Sequence, residues 1–114
     1  MRLLLDENLP KRLKLDFLVH EIYTVRDKNW NSKKNGELLK LLLENNFDAL
    51  LTFDKNLQHQ QNFEKYTITV FVLIAQINTY EELTHFSPLV KEHFLNDELP
   101  SGAVLIKIED TDGF

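Results

Sequence analysis

Unbroken apolar runs along the chain predict strands that are covered on both faces. The first run, residues 3–5, stops at Asp6-Glu7-Asn8, and uninterrupted rather than alternating apolarity is typical of strands in a parallel sheet. A second strand is expected at residues 21–25, which are rich in aromatic and β-branched side chains. Further strands are predicted at residues 48–53, 67–75 and 103–108.

Helical segments with one apolar face separate the predicted strands. Between the first two strands, apolar residues recur at spacings of three and four, and Pro10 suits the first turn of a helix because its missing N–H is not needed there. A break in the last helical region is expected at Ser87-Pro88, a pair typical of a fresh helix start. The expected capping residues of these helices are Asn8, Asn35, Thr79 and Ser87.

Strands that alternate with helices predict an α/β fold, with a mostly parallel central sheet between two helix layers. The length of 114 residues and the apolar content of 43% suit one compact domain. We expect that domain to cover residues 1–114, with residues 109–114 as a short flexible tail. In such folds ligands bind outside the carboxyl ends of the strands, where the strand order reverses. Chemistry is therefore expected at that edge of the sheet.

Acidic side chains follow the predicted strands at this edge. The acids are Asp6 and Glu7 after the first strand, Asp27 after the second, Asp54 after the third, and Glu37 at the start of the next helix. If the first and third strands are neighbours, Asp6 and Asp54 would repel each other unless a cation lies between them. Oxygen ligands with no nearby His or Cys favour Mg²⁺ or Mn²⁺ over zinc. The pattern therefore predicts a divalent metal site.

Each acid also has a simpler interpretation. Asp is common in turns and helix caps, which would explain Asp6 and Asp54 without a metal. Glu37 in a first turn is favoured by the helix dipole, and Asp27 would then be a solvated surface charge. What favours the metal is the coincidence of several acids at the edge where α/β sheets bind ligands.

The charge balance limits the partners that the chain could bind. With 13 basic and 18 acidic residues the formal charge is -5, so a polyanion would need a local device such as a bound cation. Arg26, Lys33 and Lys34 lie in loops at the same edge and are candidates for phosphate contacts, with a solvated loop as the alternative. No apolar run is long enough to cross a bilayer, and Asp6 comes too early for a signal peptide. A cytoplasmic protein without a membrane partner is expected.

Four segments together resemble a known family. The segments cover residues 3–10, 20–27, 35–39 and 50–57, and begin Leu-Leu-Leu-Asp-Glu-Asn, His-Glu-Ile-Tyr, Asn-Gly-Glu and Leu-Leu-Thr-Phe-Asp. In order and spacing they are similar to the PIN-like bacterial family known as domain of unknown function 5615. The resemblance implies a PIN-like three-layer sandwich. PIN domains are typically Mg²⁺- or Mn²⁺-dependent ribonucleases, and many are toxins neutralised by a small antitoxin, so it also implies RNA and an antitoxin as partners.

The resemblance implies that Asp6, Glu37 and Asp54 bind the metal and carry catalysis. Asp6 and Asp54 would bind the cation directly, and Glu37 would hold a water molecule or accept its proton. Family members often have another Asp two places after the third acid, where this chain has Asn56. The fourth carboxylate is then missing or supplied by another residue such as Asp27.

Two other interpretations stay open at this point. A non-catalytic PIN-like module that binds a protein partner is favoured by Asn56 and by the acidic charge, and a homo-oligomer is a further option. A phosphoacceptor receiver domain shares the acidic pair after the first strand and the Asp after the third. Receivers usually have a Ser or Thr ending the fourth strand and a Lys-Pro after the fifth, where this chain has Ala75-Gln76 and Lys107-Ile108.

Overall fold

A sheet of five strands forms the centre of the molecule. The computed structural model describes residues 1–33, 35–54, 67–95 and 99–108. The strands are β1 (Arg2–Leu5), β2 (Glu21–Thr24), β3 (Ala49–Thr52), β4 (Thr69–Leu73) and β5 (Gly102–Ile106). Their order is β2-β1-β3-β4-β5, and every neighbouring pair is parallel. The expected parallel α/β arrangement is confirmed.

Short helices connect the strands. The α-helices are α1 (Asn35–Glu44), α2 (Tyr80–Leu83) and α3 (Ser87–His93), and 3₁₀ helices cover Lys11–Phe17 and Thr84–Phe86. The expected cap at Thr79 is confirmed, since its hydroxyl accepts the N–H of Glu82 at 3.3 Å. The expected break is also present, because a 3₁₀ turn separates α2 from α3. None of the helices in the described residues is both long and apolar enough to span a membrane.

The segment after β1 differs from the prediction. Pro10 stands at the N-cap position with extended backbone, one residue before the helix, and the helix that follows is 3₁₀ rather than α. Asn8 does not cap it, because a turn closed by the Leu9 N–H and the Asp6 carbonyl, 3.0 Å apart, takes up the preceding residues. Over so short a segment, apolar spacings of three and four do not distinguish a 3.0-residue turn from a 3.6-residue turn.

Helices cover both faces of the sheet, which explains the unbroken apolar runs. On one face the 3₁₀ helix Lys11–Phe17 packs with α2 and α3 on the sheet, and Phe17 and Phe86 are buried there. On the other face α1 packs through Leu39 and Leu42. Leu3 and Leu5 face the first layer whereas Leu4 faces the second, so an alternating pattern would have left one layer without apolar contacts.

Asp16 ties the helices of the first layer together. Its carboxylate accepts hydrogen bonds from three hydroxyls, those of Tyr80 at 2.8 Å, Thr84 at 2.6 Å and Ser87 at 2.6 Å. Ser87 does not cap α3 as expected: Phe86 holds the N-cap position, Ser87 is the first residue of the helix, and its hydroxyl donates to Asp16. Burial raises the pKa of the Asp16 carboxyl, but the three hydroxyls and Lys91 outweigh burial and lower it.

The strand order reverses direction between β1 and β3. From β1 the chain passes to β2 on one side of the sheet, and from β3 it passes to β4 on the other. In parallel sheets the crevice at the carboxyl ends of two such strands is the usual ligand site, and here we call the place between the ends of β1 and β3 the crevice. Asp6 follows β1 directly and Asp54 comes two residues after β3. The condition that brings these two acids to one place, adjacent first and third strands, is thus met.

Candidate functional site

Asp6 lies where β1 ends, and each of its carboxylate oxygens accepts a hydrogen bond. Oδ1 accepts the N–H of Glu7 at 2.9 Å and Oδ2 accepts the hydroxyl of Thr52 at 2.7 Å. Burial raises the pKa of the Asp6 carboxyl, the two hydrogen bonds oppose that rise, and the charges of Glu7 and Asp54 add to it. Asp6 is therefore an acid whose charged form the protein destabilises and a nearby cation would stabilise.

Thr52 connects the two acids of the crevice. Its side chain is fully buried at the end of β3. The same hydroxyl that donates to Asp6 accepts the backbone N–H of Asp54 at 3.1 Å, so one oxygen atom orients the side chain of one acid and the backbone of the other. Our sequence reasoning missed this residue. The available signal was a polar residue at the end of an apolar strand, two positions before Asp54.

The predicted metal-binding acids do not all share one place. Asp54 is near enough to Asp6 for its charge to act on that carboxyl. Glu37 is exposed in the first turn of α1 and lines a different depression, together with Lys33 and Lys40. Within residues 1–33, 35–54, 67–95 and 99–108 no three Asp, Glu, His or Cys side chains form a group that could hold a metal ion. The roles of Glu37 and of a third ligand stay predictions.

Two of the predicted site residues, Asn56 and Lys34, lie outside the described residues. The structure therefore says nothing of whether Asn56 stands where a fourth carboxylate would, and nothing of a phosphate contact by Lys34. Lys33, the neighbouring candidate, is described and lines the depression that holds Glu37.

Asp27 takes part in a local ion pair. Its Oδ2 accepts the ammonium of Lys14 at 2.7 Å and the N–H of Thr24 at 2.8 Å, and its own N–H donates to the Thr24 hydroxyl at 3.0 Å. The hydrogen bond from Lys14, followed by that from Thr24, lowers the pKa of Asp27 to about 2. The prediction offered a solvated charge or a substitute metal ligand. The structure instead gives Asp27 a lysine partner that sequence reasoning missed.

A cleft of about 220 Å³ opens beside Asp6, between the carboxyl ends of β1 and β2. Asp6, Glu7 and Asp27 contribute negative charge to its walls, while Lys11 and Arg26 contribute positive charge. Arg26 was among the predicted substrate contacts, but Lys11 was not. The signal for Lys11 was its position directly after Pro10, at the start of the helix that leaves this edge.

No protein-family model matches this chain. No curated protein and no solved structure was found to match it either. The similarity of residues 3–57 to the PIN-like family therefore stays a prediction.

The residues of the crevice suit a small divalent cation. Asp6 and Asp54 offer carboxylate oxygens, the hard donors that Mg²⁺ and Mn²⁺ prefer. Among the described residues each carboxylate oxygen of Asp6 accepts one hydrogen bond and so keeps a lone pair for a further partner. A cation would also offset the burial and the like charges that raise the pKa of Asp6. The donor chemistry thus fits the ion that the sequence predicts.

Proposed function

We propose that this protein is a PIN-like ribonuclease that depends on Mg²⁺ or Mn²⁺, with Asp6 and Asp54 as the ligands of the cation. The observation that carries the proposal is the pair of carboxylates at the point where the strand order reverses, one of them held in a partly buried place that disfavours its charge. When bound, the ion would polarise a phosphodiester oxygen and favour attack by water. The proposal extends to a toxin restrained by an antitoxin. Glu37 would be the proton acceptor only if bound RNA brought α1 closer to Asp6, since Glu37 lines a different depression in this structure.

The chain's own residues prepare this site. Thr52 fixes the Oδ2 atom of Asp6 and the backbone N–H of Asp54, so the carboxylate of one acid and the backbone of the other are held before any ligand arrives. Glu7 fixes the other oxygen of Asp6 through its N–H. Such preorganisation lowers the free energy of reorganisation during the reaction, which is the main way that fixed polar groups contribute to catalysis.

A thermal scan with Mn²⁺ tests the cation site. Binding to the folded state alone stabilises it by about 2.7 kcal/mol when the free ion is at a hundredfold excess over Kd, which corresponds to a rise in Tm on the order of 10 °C for a domain of this size. We expect Asp54→Asn to reduce that rise sharply. Asp48→Asn is the control, since Asp48 lies beyond the amino end of β3 and accepts the N–H of Arg2. Equal Mn²⁺ shifts in the parent and in Asp54→Asn would refute the site.

An RNA cleavage assay tests the catalytic half of the proposal. Single-stranded RNA should be cut slowly in Mn²⁺ or Mg²⁺, uncut in a chelator, and uncut by Asp6→Asn. If cleavage by protein free of contaminating nuclease is the same in all three conditions, the ribonuclease proposal is wrong.

A non-catalytic module that binds a protein partner is the second candidate. An exposed apolar stretch favours it: Leu15, Leu18 and Val19 are 56%, 67% and 87% exposed at the end of the first 3₁₀ helix. Sedimentation equilibrium of the parent and of Val19→Asp would show whether that partner is a second copy of the chain. A parent that stays monomeric at all concentrations would exclude the homo-oligomer.

The strand order favours one further candidate. The order β2-β1-β3-β4-β5 is that of flavodoxin-like folds, which include phosphoacceptor receiver domains. In that case Asp54 would accept a phosphoryl group. Incubation with Mg²⁺ and acetyl phosphate would then add one phosphoryl mass to the parent and none to Asp54→Asn, and an unchanged parent mass would exclude it.

A further inference from the structure

We infer that the cleft between the ends of β1 and β2 binds the phosphodiester backbone of single-stranded RNA, through Lys11 and Arg26. This inference rests on the proposed function and adds the path of the substrate. The cleft begins at Asp6 and runs toward the edge strand β2. An RNA strand lying in the cleft would place one phosphate beside Asp6 and the adjacent phosphates beside Lys11 and Arg26.

Lys11 and Arg26 are available for phosphate. Both are exposed, and neither forms an ion pair within the part of the chain that the structure describes. Lys14, by contrast, is engaged by Asp27 at 2.7 Å. The guanidinium of Arg26 can bind two phosphate oxygens at once, and the ammonium of Lys11 supplies a point charge.

The formal charge around the cleft becomes positive when the proposed cation is bound. Three acids, Asp6, Glu7 and Asp27, face three cations when Lys14 is counted with its partner, so the formal charge is balanced although the chain carries -5. With Asp54 and a divalent ion included, the formal charge becomes positive. This is the local attraction for a polyanion that the overall composition does not supply.

The cleft also offers contacts beyond charge. Leu9, which is 6% exposed, contributes an apolar wall, and Asn31 contributes a side-chain amide that can hydrogen-bond a ribose hydroxyl or a base edge. Apolar and amide contacts beside two cations suit a nucleotide chain better than they suit a small anion.

Salt dependence of RNA binding tests the inference. The probe is a fluorescent oligoribonucleotide made resistant to cleavage by phosphorothioate linkages, and its anisotropy is measured in Mg²⁺ over a series of salt concentrations. For single strands each phosphate contact contributes about 0.7 to the slope of log K against log salt. Lys11→Ala and Arg26→Ala should each lower that slope by about 0.7, and the double variant by about 1.4.

Lys107→Ala is the matched control. Lys107 is exposed just after β5, at the same edge of the sheet but three strands away from β1. It should leave the slope unchanged, and thermal scans of all variants should show folded protein, because the substituted side chains are exposed.

The outcomes separate this inference from the proposed function. If Lys11→Ala and Arg26→Ala behave like Lys107→Ala, the RNA path is wrong, whereas the Mn²⁺ shift of the parent still reports on the cation site. Two further results would overturn the inference. One is displacement of the RNA by inorganic phosphate at a concentration equal to that of the phosphate groups in the RNA, which would indicate a small-anion site. The other is binding of an acidic peptide but not of RNA through the same two residues, which would indicate a protein partner.

Discussion

Replacing Thr52 by Val should show how strongly one hydroxyl supports the crevice. The substitution keeps the shape of a fully buried side chain and removes the donor to Asp6 and the acceptor of the Asp54 N–H. A hydrogen bond to a charged group contributes about 1.5–3 kcal/mol, against about 1 kcal/mol for a neutral pair. We therefore expect Thr52→Val to lower the free energy of unfolding by about 2 kcal/mol at neutral pH.

The loss should depend on pH. The folded protein already holds the pKa of Asp6 above its ordinary value of 3.8, and removing a donor to the carboxylate raises it further. Each pKa unit of that additional rise lowers the free energy of unfolding by about 1.4 kcal/mol at pH values where Asp6 is ionised. This loss disappears once Asp6 is protonated. The destabilisation by Thr52→Val should thus be largest at neutral pH and should shrink as the pH falls through the pKa of folded Asp6.

Urea unfolding of Thr52→Val and Thr69→Val at several pH values measures this effect. Thr69 is a buried threonine on the neighbouring strand β4, and its hydroxyl donates to the neutral carbonyl of Pro100. Thr69→Val should lower the free energy of unfolding by about 1 kcal/mol at every pH. If the two variants lose the same free energy with the same pH dependence, Thr52 does not support the charge of Asp6.

Two further predictions concern the other carboxylates. Lys14→Met should raise the pKa of Asp27 from about 2 toward its ordinary value, as measured by NMR titration of the carboxyl carbon. The same substitution should lower the free energy of unfolding by up to about 1 kcal/mol, a small loss because the ion pair is partly exposed. The stabilisation by this pair is present above the ordinary pKa and is lost as the pH falls toward 2; an unshifted titration would contradict the pairing. Ser87→Ala should lower the free energy of unfolding, measured in urea at neutral pH, by about 1–2 kcal/mol, because it removes one of three donors to Asp16. Since the pKa of Asp16 is lowered, that cost should decrease in acid as Asp16 is protonated, and a cost independent of pH would count against the carboxylate's role.

The sheet can be predicted because each strand is buried on both faces and therefore consists mainly of consecutive apolar residues. β3 and β4 fall inside the predicted ranges, and the ranges were too long only at their ends, where the apolar residues Phe53 and Ile74 lie just beyond the paired strand. The acids after β1 and β3 were found for a similar reason. Parallel strands bring their carboxyl ends to one edge, so position in the chain gives position in space.

What sequence reasoning missed are contacts that depend on packing between distant segments. Lys14 lies on the first 3₁₀ helix and meets Asp27, 13 residues further along the chain, because that helix packs beside the end of β2. Thr52 reaches Asp6 across a gap of 46 residues. The residues next to Ser87 predict a cap from local propensity, whereas the partner of its hydroxyl, Asp16, lies 71 residues away in the chain.

The all-parallel sheet has a consequence for how this protein reaches its native state. No two neighbouring strands are joined by a tight turn, so each pairing requires the closure of a long loop before its contacts form. β1 meets β2 across 19 residues and β3 across 46, and the longer closure costs about 0.8 kcal/mol more in chain entropy. Chain entropy therefore favours the pairing of β1 with β2 before the pairing that brings Asp54 beside Asp6. We expect slow folding for a chain of this length, with the crevice assembled after the strand that supplies its first acid.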